Sequence, residues 1–215
     1  MCTMRRHDLI QLPAMSIYAL KPRFQALLRP LVRTLYAGGV TANQVTVSAC
    51  VVSVAIGLFL CATAEQTRGF LLIPVWMFLR MALNAVDGML AREFGQKSHL
   101  GAYLNELTDV ISDAVLYLPL AFLPHFQPLW VGIVIVLSVI VEMTGCVALL
   151  TGASRRYDGP FGKSDRAFVF GALALAVGLG MPVQGWQQFV FPLMAVLCGL
   201  TIVQRVRKGL AEVRT

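Results

Sequence analysis

Two long stretches of this 215-residue chain contain almost no charged side chains, and this feature most constrains the fold. Residues 167–204 contain no Asp, Glu, Lys or Arg, and residues 114–154 contain only Glu142. A helix needs about 20 mainly apolar residues to cross a hydrocarbon core of roughly 30 Å, so each stretch is long enough for two crossings. With 57% hydrophobic and 13% charged residues, the composition lies outside the range of ordinary soluble domains. The sequence therefore predicts an integral membrane protein built of helices.

Hydropathy predicts an all-α architecture in a single domain over residues 1–215, with one interfacial helix followed by six transmembrane helices. The amphipathic interfacial helix is predicted over residues 16–38, because leucines at three- to four-residue spacing form an apolar face with basic flanks. Turn-forming residues separate the segments that follow. The six spans are predicted at about residues 45–63, 69–90, 100–123, 129–151, 166–181 and 187–204.

The basic residues predict how these spans are oriented. Six crossings place both termini on one side, which then carries all of the 18 Lys and Arg residues except Arg68 and Arg80. Because Lys and Arg accumulate on the cytoplasmic side, both termini are expected on the cytoplasmic face of an inner membrane. The same bias explains the net charge of +7 without nucleic acid. The five cysteines, with no CxxC pair, indicate neither a disulfide framework nor a metal site.

Polar side chains inside the predicted second and third spans form two stripes. Asn84 and Asp87 are three residues apart and share a helix face, while Asn105, Asp109 and Asp113 recur every four residues. Both stripes lie near the cytoplasmic ends of adjacent antiparallel helices with a short connection, so the two faces can meet. Carboxylate and amide oxygens suit a hard divalent cation, Mg²⁺ or Mn²⁺, which usually bridges phosphate oxygens.

The deeper charged residues permit other interpretations. Arg80 paired with Asp113 or Glu142 would form a buried structural ion-pair network. Intramembrane carboxylates also build proton relays, so a proton-coupled transporter is a rival class. A transporter would place its charges near the bilayer midplane and show a repeat, whereas here the key carboxylates cluster toward one surface and no repeat is visible.

The segment from Asp87 to Arg92 reads D-G-M-L-A-R, and after eight further residues Gly101 is followed by Asn105 and Asp109 at four-residue intervals. This pattern resembles the signature of the CDP-alcohol phosphotransferase family. The family signature is D-x-x-D-G-x-x-A-R, a gap of about eight residues, and then G-x-x-x-D-x-x-x-D. The segment 41–46 also resembles the family's P-N-x-x-T motif, with alanine in place of proline.

The resemblance implies a phospholipid-synthesis enzyme in the membrane that transfers a phosphatidyl group from CDP-diacylglycerol to the hydroxyl of a small polar alcohol and releases CMP. It implies a Mg²⁺ or Mn²⁺ cofactor at Asn84, Asp87, Asn105 and Asp109, with Asp109 also acting as the general base. It further implies that the CDP moiety is held at Asn43, Thr46, Gly88, Ala91, Arg92, Ser98 and Gly101. Members of this family are often dimers, so the resemblance also implies that the protein can form a homodimer.

Two of the four family aspartates are asparagines in this chain, at Asn84 and Asn105. The four positions therefore carry two negative charges instead of four, and two divalent cations about 3.5–4 Å apart would be poorly neutralised. A single-metal site is easier to reconcile with this charge. Two alternatives remain: Asp113 could move the site one turn deeper beside Asp109, or Glu106 could turn inward. A homologue that binds the CDP-lipid without turnover is the alternative function.

The longest polar segment between spans, residues 155–166, carries a second cluster of charge. It is either an ordinary cytoplasmic loop or a binding site for an anionic acceptor or lipid head group. The basic residues concerned are Arg155, Arg156, Lys163 and Arg166. If this loop binds the acceptor, a phosphorylated alcohol such as glycerol 3-phosphate or inositol phosphate is favoured over a neutral amino alcohol.

Overall fold

The computed structural model describes residues 17–183 and 185–214, with side chains from residue 22 onward. These residues form seven α-helices and no β-strand: α1 Ile17–Ala37, α2 Ala42–Ala62, α3 Leu72–Glu93, α4 His99–Tyr117, α5 Pro128–Leu150, α6 Lys163–Gly178 and α7 Gln187–Val213. A 3₁₀ helix over Thr67–Leu71 leads into α3, and another over Leu118–Phe122 follows α4. The all-α prediction is confirmed for the described part of the chain.

Each of the six predicted apolar segments overlaps with one of the helices α2–α7. Within the described residues, four helical segments are long and apolar enough to cross a membrane: Ala42–Ala62, Thr67–Glu93, Pro128–Leu150 and Gln187–Val213. Helices α4 and α6 are not among them, because α4 contains three acidic residues and α6 has only 16 residues. The chain is therefore a helical membrane protein with four candidate spans in its described part, and the count of six crossings stays a prediction.

Two helix boundaries differ from the predicted ones for identifiable reasons. Helix α7 continues to Val213 instead of ending at 204, because its last two turns are polar and hydropathy does not detect them. Helix α6 begins at Lys163 instead of 166, because the Asp165 carboxylate accepts the backbone N–H of Gly162 at 2.8 Å. A side chain that satisfies a free N–H at a helix start stabilises that start.

The helices pack in pairs that bring the two polar stripes together. Helix α2 packs against α3 and α4, α5 packs against α7, and α6 packs against α3. Gly57 allows α2 and α4 to approach closely, because a Cβ at this position would collide with the backbone carbonyl of Val115. The main core contains the stacked rings of Tyr117 and Phe170, whose centroids are 3.6 Å apart.

Helix α1 occupies most of the predicted segment 16–38, although residue 16 and the side chains through 21 lie outside the described residues. Val32 is fully buried, and Leu28 and Leu35 pack with it in a cluster that includes residues of α3. Leu27 and Leu31 of the predicted apolar face are exposed instead. One side of α1 thus packs on the protein, and its position in the membrane interface stays a prediction.

Candidate active site

Asp87 lies on α3 at its contact with α2. It is buried, with 6% exposure, and its carboxylate accepts a hydrogen bond from Thr46 Oγ1 at 2.7 Å. The Arg92 guanidinium lies over Gly88, where a Cβ would come within 2.7 Å of Arg92 Nη2. This end of α3 therefore presents a carboxylate and a guanidinium side by side, with no side chain at Gly88 between them.

The N-termini of α2 and α4 meet near this point. Ser98 begins α4 by accepting the backbone N–H of Gly101 on its Oγ at 2.9 Å. A Cβ on Gly101 would lie 2.9 Å from Asn43 Oδ1 and 3.0 Å from Ser98 Oγ. Gln96 joins the same region by accepting the backbone N–H of Ala42 at 2.7 Å. The structure therefore brings together three of the residues assigned to the CDP moiety, namely Asn43, Ser98 and Gly101.

Asp109 on α4 is contacted from two other helices. Arg80 Nη2 on α3 donates to Asp109 Oδ1 at 2.8 Å, and Lys163 Nζ at the start of α6 pairs with Oδ2. Asn84 Nδ2 donates to Asp109 Oδ1 at 3.3 Å. Arg80 also forms an ion pair with Asp113, which confirms one of the pairings offered by the sequence.

The two predicted stripes do meet, because Asn84 of the first bonds Asp109 of the second. Asp87 lies three residues beyond Asn84 on α3, on the same helix face. In the described residues, no three His, Cys, Asp or Glu side chains form a cluster that could hold a metal ion. The residues that the resemblance assigns to a metal are two carboxylates and the amides of Asn84 and Asn105, and their role as ligands stays a prediction.

A cavity of about 420 Å³ opens beside Asp109. All three residues of the second stripe, Asn105, Asp109 and Asp113, line it, whereas Asp87 and Arg92 do not. Its walls come from α4, α5, the loop before α6, the first turn of α6, and α7. Its polar and charged lining residues are Asn105, Glu106, Asp109, Asp113, Glu142, Arg155, Tyr157, Lys163, Ser164, Asp165 and Arg205.

The structure separates the four basic residues that the sequence grouped as one head-group site. Arg155 and Lys163 line the cavity, and Arg155 forms an ion pair with Glu106. Arg156 turns away from the cavity and pairs with Asp158 at 2.6 Å. Arg166 is 1% exposed and pairs with Glu142 at 2.7 Å, so it lies in the core beside the cavity.

Arg205 is a cavity residue that the sequence analysis did not assign to the site. Its side chain is buried, and its Nη1 and Nε donate to the backbone carbonyls of Val141 and Asp158 at 2.5 and 3.1 Å. Glu142 Oε1 lies 3.7 Å from Arg205 Nη2 and accepts from Arg166. The only sequence signal is that Arg205 directly follows the charge-free stretch, where a topological role explains it equally well.

The loop over residues 151–162 is fixed between α5 and α7. Gly159 has a φ of +127°, and a Cβ there would collide with the Thr201 side chain. Lys208 donates to Asp158 at 2.8 Å and, together with Arg156, holds the pKa of the Asp158 carboxyl below its usual value. These contacts hold the loop so that Arg155 faces the cavity while Arg156 does not.

The chain is similar in sequence and in fold to known proteins. The sequence is 44% identical over 196 residues to the inner membrane protein YnbA of Escherichia coli K12, covering 91% of this chain and 97% of YnbA. The fold is similar to that of a Mycobacterium tuberculosis phosphatidylinositol phosphate synthase, PgsA1, solved with manganese and citrate. The TM-score is 0.69 at 25% identity, and the match covers 84% of this chain and 87% of PgsA1. PgsA1 solved with bound CDP-DAG gives a TM-score of 0.67 at 25% identity, over 84% and 92% of the two chains.

Residues 39–203 of the chain match the family model of CDP-alcohol phosphatidyltransferase. The two stripes that meet in the structure lie within this range. That match includes α2 through most of α7 and every residue that surrounds Asp87 and Asp109 in the structure. The chain belongs to the CDP-alcohol phosphatidyltransferase family.

Proposed function

We propose that this protein transfers a phosphatidyl group from CDP-diacylglycerol to the hydroxyl of a small polar alcohol, releases CMP and depends on one divalent cation. The observation that carries this proposal is the meeting of the two polar stripes, seen in the Asn84–Asp109 hydrogen bond, at a cavity lined by three basic and five acidic side chains. PgsA1, with a similar fold, has been solved with CDP-DAG and with manganese. The bound lipid of PgsA1 supports a donor site in this fold, and the cavity beside Asp109 supports an acceptor site.

The donor site is assigned to the meeting point of α2, α3 and α4. Asp87, Asp109, Asn84 and Asn105 supply the oxygens that would hold Mg²⁺ or Mn²⁺. When bound, such an ion neutralises charge on the pyrophosphate. Arg92 is suited to bind the same phosphates, because its guanidinium offers two parallel donors over the bare surface of Gly88. Thr46 holds the Asp87 carboxylate in place.

The acceptor site is assigned to the cavity. Asp109 faces it and would take the proton of the acceptor hydroxyl as the acceptor oxygen attacks phosphorus. The new P–O bond forms while the bond from phosphorus to the CMP oxygen breaks. Arg155 and Lys163 give the cavity cationic groups for a phosphate, so we assign a phosphorylated alcohol as acceptor.

We also propose that α2–α7 make six crossings of the inner membrane, with both termini and the site on the cytoplasmic side, and that α1 lies in the interface. Of these six helices, α4 and α6 are not long and apolar enough to count among the four candidate spans. Three of their charged residues lie against the protein: Asp113 and Arg166 are buried, and Asp109 is paired with Arg80. Intramembrane charges that face a cavity and have partners are compatible with a crossing.

A second candidate function is binding of the CDP-lipid without turnover. It is favoured by one observation, the two asparagines at positions where the family signature has aspartate. The two candidates share the donor site and differ in whether CMP is formed.

The proposed transfer is tested by measuring CMP release by the purified full chain in nanodiscs containing CDP-diacylglycerol. We expect release that requires Mg²⁺ or Mn²⁺, stops with a chelator, and is faster with glycerol 3-phosphate or inositol phosphate than with glycerol, inositol or serine. Faster release with the neutral alcohols would contradict the assigned acceptor class. Binding of CDP-diacylglycerol without CMP release across the whole panel would contradict transfer and favour the binding-only function.

A further inference from the structure

Both oxygens of the Asp109 carboxylate are engaged by cationic side chains of the protein. Arg80 donates to Oδ1 at 2.8 Å from α3, and Lys163 pairs with Oδ2 from the first residue of α6. Arg80 also forms an ion pair with Asp113, so the carboxylates of Asp109 and Asp113 together compensate its positive charge. Lys163 differs, because its side chain is 31% exposed and lines the cavity while it contacts Asp109.

The charge of the centre does not match a pair of divalent cations. Asn84 and Asn105 leave Asp87 and Asp109 as the carboxylates at the four signature positions, with two negative charges. Two divalent cations would bring four positive charges to these two, in a space where Lys163 adds a fifth. Cations about 4 Å apart repel strongly unless acidic ligands compensate them. One divalent cation brings only two positive charges and therefore needs less compensation than a pair.

Resting on the proposed function, we propose that the centre binds a single divalent cation and that the Lys163 ammonium supplies, beside Asp109, the positive charge that a second cation would bring. The two asparagines and the Lys163 ammonium then together set the charge of the centre. The ammonium lies at the boundary between Asp109 and the cavity, where it faces both the carboxylate and an incoming phosphate. Lys163 acts here as a positioning and charge-supplying residue.

The test is the stoichiometry and affinity of Mn²⁺ binding, measured by equilibrium dialysis of the full chain in nanodiscs. We expect one Mn²⁺ per chain for the wild type. Lys163→Met removes a nearby positive charge and should tighten Mn²⁺ binding about tenfold, whereas Lys163→Arg keeps the charge and should stay within about twofold of the wild type. Arg207→Met is the matched control, because Arg207 is exposed on α7 and does not line the cavity, and it should leave Mn²⁺ affinity unchanged.

A triple variant, Asn84→Asp with Asn105→Asp and Lys163→Met, restores the acidic ligands and removes the ammonium. We expect it to bind two Mn²⁺ per chain. Two Mn²⁺ per wild-type chain, no Mn²⁺ binding at all, or equal affinities for the wild type and Lys163→Met would each overturn the inference.

Measuring CMP release on the same samples keeps this inference separate from the proposed function. Wild-type protein that binds two Mn²⁺ and releases CMP would overturn the single-cation assignment and leave the transfer reaction standing. Wild-type protein that binds one Mn²⁺, with the expected response to Lys163→Met but no CMP release, would support the assignment while the transfer reaction fails.

Discussion

Asp109→Asn is expected to lower the rate of CMP release about 1,000-fold, the largest effect of any single change at the site. Asparagine keeps the shape of the side chain but can neither accept the hydroxyl proton nor contribute a negative charge to the centre. Asp87→Asn should lower the rate by about 100-fold or more, because it removes the other carboxylate of the centre. Initial rates of CMP release at saturating donor and acceptor provide the measurement.

Glu65→Gln is the matched control, since this carboxylate is exposed between α2 and the turn before α3 and does not line the cavity. It should retain a rate within about twofold of the wild type, as for most surface substitutions. Thermal unfolding of all three variants separates lost chemistry from lost folding. A folded Asp109→Asn protein with more than a tenth of the wild-type rate would contradict the assignment of Asp109 as the base.

Glu142→Gln is expected to have the largest effect on stability. Glu142 is 8% exposed and accepts from Arg166 at 2.7 Å, and guanidinium nitrogens of Arg155 and Arg205 lie 3.7 Å from it. Removing its charge takes the carboxylate away from the buried Arg166 and Arg205, which typically costs about 3–5 kcal/mol. For a chain of this size we expect Tm to fall by about 10 °C, measured by intrinsic fluorescence during heating in detergent.

The control for this change is Glu65→Gln, because Glu65 is exposed between α2 and the turn before α3. Its Tm should stay within about 1 °C of the wild type, as for most surface substitutions. The double variant Glu142→Leu with Arg166→Leu removes both partners and should unfold at a higher temperature than Glu142→Gln. A Glu142→Gln protein as stable as the wild type would contradict a structural role for this network.

The helices and the meeting of the two stripes follow from local properties of the sequence. Charge-free segments and turn residues locate the apolar helices, and three- and four-residue spacing places Asn84 with Asp87 and Asn105 with Asp109. The short connection between α3 and α4 then leaves little freedom in how these faces meet. For this reason the Asn84–Asp109 hydrogen bond and the Arg80–Asp113 pair were both within reach of sequence analysis.

The composition of the cavity could not be predicted in the same way. Arg155 and Arg156 are adjacent in sequence, yet one faces the cavity and the other pairs with Asp158 outside it. This difference depends on how the loop docks between α5 and α7. Lys163 reaches Asp109 only because α6 begins beside α4, a contact between elements far apart in the chain. Such long-range packing leaves no periodic signal in the sequence.

Phosphorus hyperfine coupling to bound Mn²⁺ tests most directly whether Asp87 and Asp109 form a cation centre that receives the donor pyrophosphate. The Mn²⁺-loaded full chain in nanodiscs is measured by electron–nuclear double resonance before and after addition of CDP-diacylglycerol. We predict that the lipid introduces a phosphorus coupling and that Asp87→Asn abolishes it. A Mn²⁺ spectrum without phosphorus coupling at saturating CDP-diacylglycerol would contradict the account.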